Sequence, residues 1–224
     1  SIIDISGGIT TLTQAQVTTV GFTSFNPNIN TLRAAGVRIF GPGATVAQDF
    51  EPEYITIDPT NTKAYITLQE NNAVAVLDIA SAIITDIYPL GFKDHSLPEN
   101  ALDISDQGGN IHIANWPIKG LYMPDAIASY EIGGQLYLVT ANEGDARDYS
   151  PTYNEEIRLG NAAYVLDTAI FGDMTKVLKP NQNAGRLTVT NATGDLNNNG
   201  KFEQIHVFGT RSFSIWNATS GNLV

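Results

Sequence analysis

Hydrophobic and polar residues alternate along several short runs of the chain, and the clearest four follow one another closely. They are Tyr54–Ile57, Ala64–Leu68, Ala73–Ile79 and Ala82–Tyr88. Alternation of this kind is typical of strands that bury one face. Turn-forming residues such as Pro59 and Asn72 separate the runs. The pattern therefore predicts antiparallel strands in up-and-down order, which is the arrangement of one β-propeller blade.

The pattern repeats along the chain. The segment Ala73–Ala80 (AVAVLDIA) reappears as Ala162–Ala169 (AAYVLDTA), and the segments before both copies also correspond in order. Ser212–Asn217 and Ser1–Ser6 resemble the same strand. Repetition of one unit at intervals of this size indicates a repeat architecture. We therefore expect an all-β protein, a β-propeller with YVTN/WD40-like blades of four antiparallel strands.

The repeats predict a single, partial β-propeller domain over residues 1–224. Its expected parts are a blade end at 1–6, blades at roughly 36–91, 124–180 and 185–224, and long connections at 7–35 and 92–123. Gly36–Phe40 is predicted as a strand, and residues 144–161 as an exposed acidic insertion. A closed ring usually needs about 4–8 blades. We therefore expect an internal fragment whose missing blades belong to the same chain or to another one.

Composition narrows the classes of partner. The chain has no cysteine, a formal net charge of −11 and no apolar run long enough to span a membrane. An acidic surface repels nucleic acid and favours cations or basic partners. We expect neither nucleic-acid binding nor direct membrane insertion. His95, His112 and His206 share no metal-ligand spacing, so each is predicted to be structural.

Several long motifs resemble one known family. They are RIFGPGATV (38–46), TLQENNAVAVLDIA (67–80), PLGFKDHSLP (89–98), PDAIASYE (124–131), LVTANEGDARDY (138–149) and FGTRSFSIW (208–216). These motifs resemble the choice-of-anchor I family, bacterial secreted or surface-anchored β-propeller domains. That family is similar to mesenchyme-specific cell-surface glycoproteins and to atypical bacterial alkaline phosphatases. The resemblance implies an extracellular, periplasmic or cell-surface location.

Blade topology places one group of charged residues together. In an up-and-down blade, the turns before the first strand and after the second lie on one face. The charged residues at such turns are Glu51, Glu53, Glu70, Asp125, Glu143, Asp145, Arg147, Asp148 and Arg211. Convergent carboxylates concentrate cations, and oxygen ligands favour Ca²⁺ or Mg²⁺. We name this predicted set the acidic rim; the alternative is a set of solvated turn residues balanced by the two arginines.

A second cation motif spans residues 195–203 (DLNNNGKFE). Oxygen side chains stand at alternate positions, Gly200 permits a tight bend, and one backbone carbonyl completes the set. The predicted ligands are Asp195, Asn197, Asn199, the Lys201 carbonyl and Glu203. The motif differs from an EF-hand because strand patterns flank it and His206 stands where a glutamate would. It resembles the calcium loops in hairpins of integrin-type propellers.

We name residues 195–203 the calcium loop and expect an affinity of ~10⁻⁴–10⁻³ M, because asparagine stands at two of its ligand positions and the charge of the site is therefore low. The alternative interpretation is an ordinary Asn-Gly turn that joins two strands of a hairpin.

Two functions from different classes remain open. The first is an extracellular, calcium-binding module that binds or scaffolds, with a cell-surface, glycan or protein ligand. The second is a metal-dependent phosphoesterase, in which the rim would hold the metal and Arg147 or Arg211 would hold the phosphate ester. Its candidate catalytic residues are Glu53, Asp125, Glu143, Asp145, Arg147 and Arg211. The sequence shows no nucleophile motif for this reaction, so whether the chain is an enzyme stays open.

Overall fold

The computed structural model describes residues 1–107 and 109–224. Its strands, in chain order, are β1 (Ile2–Ile3), β2 (Val17–Thr18), β3 (Pro52–Ile57), β4 (Lys63–Leu68), β5 (Ala73–Asp78), β6 (Ile83–Pro89), β7 (Phe92–Asp94), β8 (Lys119–Leu121), β9 (Ala126–Ile132), β10 (Gln135–Asn142), β11 (Asp148–Tyr149), β12 (Tyr153–Asn154), β13 (Glu156–Arg158), β14 (Thr188–Thr190), β15 (His206–Phe208) and β16 (Ser212–Asn217). Short helices are α1 (Ile29–Ala34), α2 (Val46–Asp49), α3 (Thr168–Phe171) and α4 (Met174–Leu178), with 3₁₀ turns at Ile9–Thr11, Gln14–Gln16, Thr23–Asn28 and Pro98–Asn100. The prediction of an all-β protein is confirmed. Among the described residues, no helix is long and apolar enough to cross a membrane.

The chain folds into two compact units. The first unit comprises Ser1–Leu90, Pro124–Asn142 and Phe213–Val224. The second unit comprises Gly91–Met123 and Glu143–Ser212. The second unit is therefore inserted into the first at two points of the sequence, once before β9 and once between β10 and β16.

The first unit contains the predicted four-stranded sheet, with strand order β3-β4-β5-β6 and antiparallel pairing throughout. Every residue of β5 from Ala73 to Leu77 is buried, because this strand packs on both faces. Its side chains join a core with Val46, Phe50 and Leu68. Asn72, in the turn before β5, has a φ of 53°, a conformation that asparagine tolerates well. Local alternation and local turns were sufficient to specify this sheet.

Asp58 closes the turn between β3 and β4. Thr60 and Thr62 hydroxyls donate to its Oδ2 at 2.7 and 2.8 Å, and the Thr62 and Lys63 N–H groups donate to Oδ1 at 2.7 and 3.1 Å. Burial of the carboxyl, the largest single influence, raises its pKa. The hydrogen bonds together outweigh burial, so the pKa of Asp58 lies below its ordinary value.

A second sheet of the first unit has the strand order β16-β10-β9. Gly133 and Gly134, with φ values of 60° and 78°, form the tight turn of the β9–β10 hairpin. Ser129 of β9 donates its hydroxyl to the Ile57 carbonyl at 2.8 Å, so β9 contacts β3 of the first sheet. The third strand of the second sheet comes from Ser212–Asn217, far along the chain from β10.

This pairing corrects the predicted second blade, whose third strand was expected at Ala162–Ala169. That segment forms no strand: Leu166 makes only an isolated bridge with Phe202, and Asp167 caps α3 by accepting from the Ala169 N–H at 2.7 Å. Its alternation is real, because Tyr164 and Leu166 are buried and Val165 is 43% exposed. The buried side chains pack instead in the core of the second unit.

Two further predictions are corrected. The predicted blade at 185–224 is not one sheet, because β14 pairs with β13, β15 with β8, and β16 with β10. Gly36–Phe40 is not a strand; it runs beside the turn after β4, where the Arg38 N–H donates to the Asn71 carbonyl at 2.9 Å. Ser1–Ser6, expected to be a blade end, contributes β1, which pairs with β2 from the connection 7–35.

The second unit has small sheets around its own core. Its three-stranded sheet has the order β15-β8-β7, in which β15 and β8 run parallel. Tyr164 stacks on Phe202 with ring centroids 3.9 Å apart, and both rings belong to a core with Leu159 and Ile205. Gly144 and Gly209 allow two segments to meet, since a Cβ on either would lie 2.0 Å from the backbone of the other segment.

Candidate functional site

A polar cleft of about 380 Å³ opens in the second unit. Its floor is apolar and includes Ile118, Leu187 and Val207. Charged and polar side chains surround the opening: His95, Asp103, Asp106, Glu156, Arg158, Arg186, Thr210 and Arg211. A concave, partly apolar surface with a few converging polar groups is the usual form of a small-molecule site.

The aspartates of the cleft are already engaged. Arg186 Nε donates to both carboxylate oxygens of Asp106, at 2.9 and 3.0 Å. This contact lowers the pKa of Asp106 to about 2. Asp103 accepts from the His112 N–H at 3.0 Å and from the Ser105 N–H at 3.1 Å, and these bonds also lower its pKa. Both aspartates are thus ionised and occupied by internal donors.

The arginines of the cleft keep unused donors. Arg158 donates through Nη1 to the Arg186 carbonyl and to the Thr188 hydroxyl. Towards the described residues, Arg186 donates through Nε alone. Arg211 is exposed and makes no side-chain hydrogen bond within the described residues. A guanidinium carries five N–H donors, so all three side chains can still bind an anion.

His95 is buried at the side of the cleft, in a defined tautomer. Its Nδ1 lies 2.7 Å from the Asn100 carbonyl, which can only accept, so Nδ1 carries the proton. Burial lowers the pKa of His95, which keeps the ring neutral at neutral pH. A Cβ on Gly120 would lie 2.9 Å from Nε2 and 3.2 Å from Thr210. Because Nδ1 carries the proton, Nε2 is a hydrogen-bond acceptor, and it lies near the cleft-lining residue Thr210.

Sequence reasoning identified only Arg211 among these cleft residues, and it assigned His95 a structural role. The lining comes from separate segments between residues 95 and 211, so no short motif marks the site. The one available signal was the length of the connection 92–123 and of the insertion 144–161, since long segments within a compact domain are often functional.

Two predicted ligands of the calcium loop stabilise its turn. Asp195 accepts from the Asn199 N–H at 3.1 Å and the Gly200 N–H at 2.8 Å. Glu203 accepts from the Leu196 N–H and from the Asn197 amide, both at 2.7 Å. A carboxylate offers about four lone-pair positions. Each acid therefore retains acceptor capacity after stabilising the turn.

The calcium loop is not the turn of a β-hairpin. The strands on either side, β14 and β15, belong to different sheets. The loop closes instead on Gly194, whose carbonyl accepts from the Glu203 and Gln204 N–H groups at 2.9 and 3.1 Å. Gly200 has a φ of 81° and Asn198 a φ of 58°. The expected hairpin is thus wrong, both in the Asn-Gly alternative and in the resemblance to the hairpin calcium loops of integrin-type propellers. Carboxylate, amide and carbonyl oxygens are ligands that suit Ca²⁺, and calcium binding by residues 195–203 stays a prediction.

The residues of the predicted acidic rim are distributed over both units. Glu53 on β3 and Asp125 before β9 belong to the first unit, and both are exposed. Glu143, Asp145, Arg147 and Arg211 belong to the second unit. Within that unit, the approach of Gly144 to Gly209 brings the backbone beside Glu143 close to the segment that carries Arg211.

Arg147 differs from the exposed side chain expected of a rim residue. It is 3% exposed, and its N–H donates to Oε1 of the fully buried Glu155 at 2.9 Å. Thr190 donates to the other oxygen of Glu155 at 2.5 Å. Across residues 1–107 and 109–224, no three His, Asp or Glu side chains group closely enough to hold a metal ion.

Comparison with known proteins gives one curated relative and one solved structure. The chain is 35% identical over 150 residues to the "Mesenchyme-specific cell surface glycoprotein" of Strongylocentrotus purpuratus, an alignment over 62% of this chain and 19% of that protein. The chain thus spans about a fifth of that relative. "Kuenenia stuttgartiensis Hydrazine Synthase" aligns over 54% of this chain and 44% of the other, at 15% identity and a TM-score of 0.22, which is too low to indicate a shared fold.

The family comparison covers the full sequence. Residues 1–224 match the choice-of-anchor I domain, in agreement with the resemblance of the long motifs between residues 38 and 216. The match includes both folded units and the segments that join them. The chain belongs to the choice-of-anchor I domain family.

Proposed function

We propose that this chain is a calcium-binding β-propeller module of a secreted or surface-anchored protein, with a role in binding or scaffolding. The observation that supports the proposal is the calcium loop, in which Asp195 and Glu203 belong to one tight turn and each accepts two hydrogen bonds while keeping acceptor capacity. The family, and the name of the Strongylocentrotus purpuratus relative, support a place at the cell surface.

The two sheets of the first unit support a propeller architecture. The sheet β3-β4-β5-β6 has the up-and-down order of a whole blade, and the hairpin β9–β10 with β16 supplies three strands of another. Residues 143–211 separate the second and third strands of that second blade. This architecture needs further blades to close a ring, and we expect them from a longer chain or from a second one.

Calcium would stabilise the second unit by cancelling the repulsion between Asp195 and Glu203. A cation that binds only the folded loop contributes RT ln(1 + [Ca²⁺]/Kd). At millimolar Ca²⁺ and a Kd of ~10⁻⁴–10⁻³ M, this contribution is about 0.4–1.4 kcal/mol. For a chain of this size, the melting temperature should rise by about 1–5 °C.

The test is a pair of thermal melts, one in excess EDTA and one in millimolar Ca²⁺, together with calorimetric titration of Ca²⁺. The variant Asp195→Ala should lose the calcium-dependent rise. Asp173→Ala is the matched control, because Asp173 is an exposed aspartate of the same unit that pairs with Lys176 at the surface. Equal melting temperatures of the wild type in both buffers, with no heat of binding, would refute the calcium assignment.

A phosphatase assay on the same protein distinguishes a binding module from a phosphoesterase. We expect no calcium-dependent hydrolysis of p-nitrophenyl phosphate, because the proposed cation has a structural role. Hydrolysis that disappears in Asp125→Asn and persists in Asp173→Ala would favour the phosphoesterase instead.

A further inference from the structure

We propose that the cleft of the second unit binds an anionic, hydroxyl-bearing small molecule of the size of one sugar unit. Arg211 would pair with the anionic group, and Nε2 of His95 would accept a hydrogen bond from a hydroxyl. The proposal concerns a site separate from the calcium loop and does not rest on calcium binding.

The charge arrangement favours an anion over a cation. The carboxylates of Asp103 and Asp106 each accept internal hydrogen bonds, and Asp106 is paired with the Arg186 guanidinium. The guanidinium of Arg211 makes no hydrogen bond within the described part of the chain, although it lines the cleft. The unused guanidinium donors of Arg211 attract carboxylate or phosphate groups, which arginine binds with two parallel hydrogen bonds.

The acceptors of the cleft favour hydroxyl groups on the same ligand. Nε2 of His95 is a bare acceptor because Nδ1 is held protonated by the Asn100 carbonyl. Glu156 and Arg158 are two residues apart on β13 and therefore share one face of that strand. Both line the cleft. Glu156 can accept a hydrogen bond from a ligand hydroxyl, and the neighbouring Arg158 can donate to the anionic group of the same ligand. A simple anion such as acetate would leave these acceptors unused.

The backbone around Arg211 shows how its side chain is presented. Arg211 has a φ of 50°, a left-handed conformation that is strained for a non-glycine residue. The adjacent Thr210 is buried, with its hydroxyl 2.6 Å from that of Ser212. The contact between Thr210 and Ser212 thus holds the turn on both sides of Arg211. A strained backbone that keeps a side chain exposed is typical of a residue positioned for an external ligand.

The experiment is calorimetric titration of the full chain with four probes: glucuronate, glucose 6-phosphate, glucose and acetate. We expect both anionic sugars to bind more tightly than glucose or acetate. A preference between glucuronate and glucose 6-phosphate identifies a carboxylate or a phosphate as the natural anionic group. Equal, weak heats for all four probes would overturn the proposal.

Variants localise the binding to the cleft. Arg211→Asn removes the charge while suiting the positive φ, and it should weaken anionic sugars about 10-fold or more while leaving glucose unchanged. His95→Gln should weaken the sugars and not acetate. Lys176→Ala is the matched charge control, since Lys176 is exposed and lies outside the cleft. Thermal melts verify folding, and wild-type affinity of folded Arg211→Asn for both anionic sugars would contradict the assignment.

Discussion

A chain of buried hydrogen bonds joins β10 to β16 and is expected to select Ser212–Asn217 as the third strand. The Trp216 indole N–H donates to the Thr140 hydroxyl at 2.9 Å, Thr140 donates to Asn142 Oδ1 at 2.8 Å, and the Asn142 amide donates to the Ser214 hydroxyl at 2.7 Å. All four side chains are at most 5% exposed. Removing one member therefore leaves polar groups without these bonds and away from water.

Thr140→Val keeps the shape of the side chain and removes its hydroxyl. The variant loses the bond that Trp216 donates and the bond that Asn142 accepts. A lost hydrogen bond in which a buried partner remains costs about 1–3 kcal/mol. We expect the free energy of unfolding of the first unit to fall by about 2–4 kcal/mol.

The assay is urea unfolding followed by tryptophan fluorescence in a Trp116→Phe background. The chain has 2 tryptophans, and Trp116 belongs to the second unit, so the remaining emission reports the first unit. With a urea dependence of about 1–3 kcal/mol per molar, the midpoint should fall by about 1–2 M. Thr85→Val is the matched control, because Thr85 is exposed on β6. A Thr140→Val midpoint equal to that of the control would refute the role of the hydrogen-bond chain.

Three further predictions test other parts of the fold. Gly209→Ala should prevent folding of the second unit, because the added Cβ would lie 2.0 Å from the Glu143 carbonyl oxygen; a native circular-dichroism spectrum and melt would contradict this. Asp58→Asn should destabilise the first unit at neutral pH. Because the pKa of Asp58 is lowered by folding, its stabilisation is present above the unfolded pKa and is lost as pH falls through the folded pKa. In urea melts, the difference in free energy of unfolding between wild type and Asp58→Asn should therefore shrink as the pH falls from about 6 to about 3. A difference that stays constant would exclude the carboxylate as its cause. Asp167→Ala should cost about 1 kcal/mol through loss of the α3 cap, measured against Asp173→Ala, and no loss would show that the cap is unimportant.

The sequence alone determined the sheet β3-β4-β5-β6 almost to the residue. The predicted runs Ala64–Leu68 and Ala73–Ile79 correspond to β4 and β5 within a residue or two. Each strand pairs with its neighbour in sequence, so alternation and the intervening turns contain the required information. The turn at residues 195–203 is equally local, because Asp195 accepts from the Asn199 and Gly200 N–H groups and Gly200 has a positive φ; its calcium binding stays a prediction.

The third strand of the second sheet was decided only by tertiary structure. Ala162–Ala169 and Ser212–Asn217 both alternate and both resemble β5 in sequence, so local pattern cannot choose between them. The choice depends on long-range contacts: Ser214 and Trp216 enter the buried hydrogen-bond chain with β10, while Tyr164 stacks on Phe202 in the other unit. Such contacts join residues separated by tens of positions and leave no periodic signal.

The cleft also arises from tertiary structure. His95, Arg158 and Arg211 come from three separate segments that meet only when β15 pairs in parallel with β8 and the core of the second unit forms. The tautomer of His95 depends on one carbonyl contact, and the engagement of Asp106 depends on Arg186, far along the chain. Sequence patterns encode which faces are buried, whereas the availability of a charged group depends on which partners the folded chain brings to it.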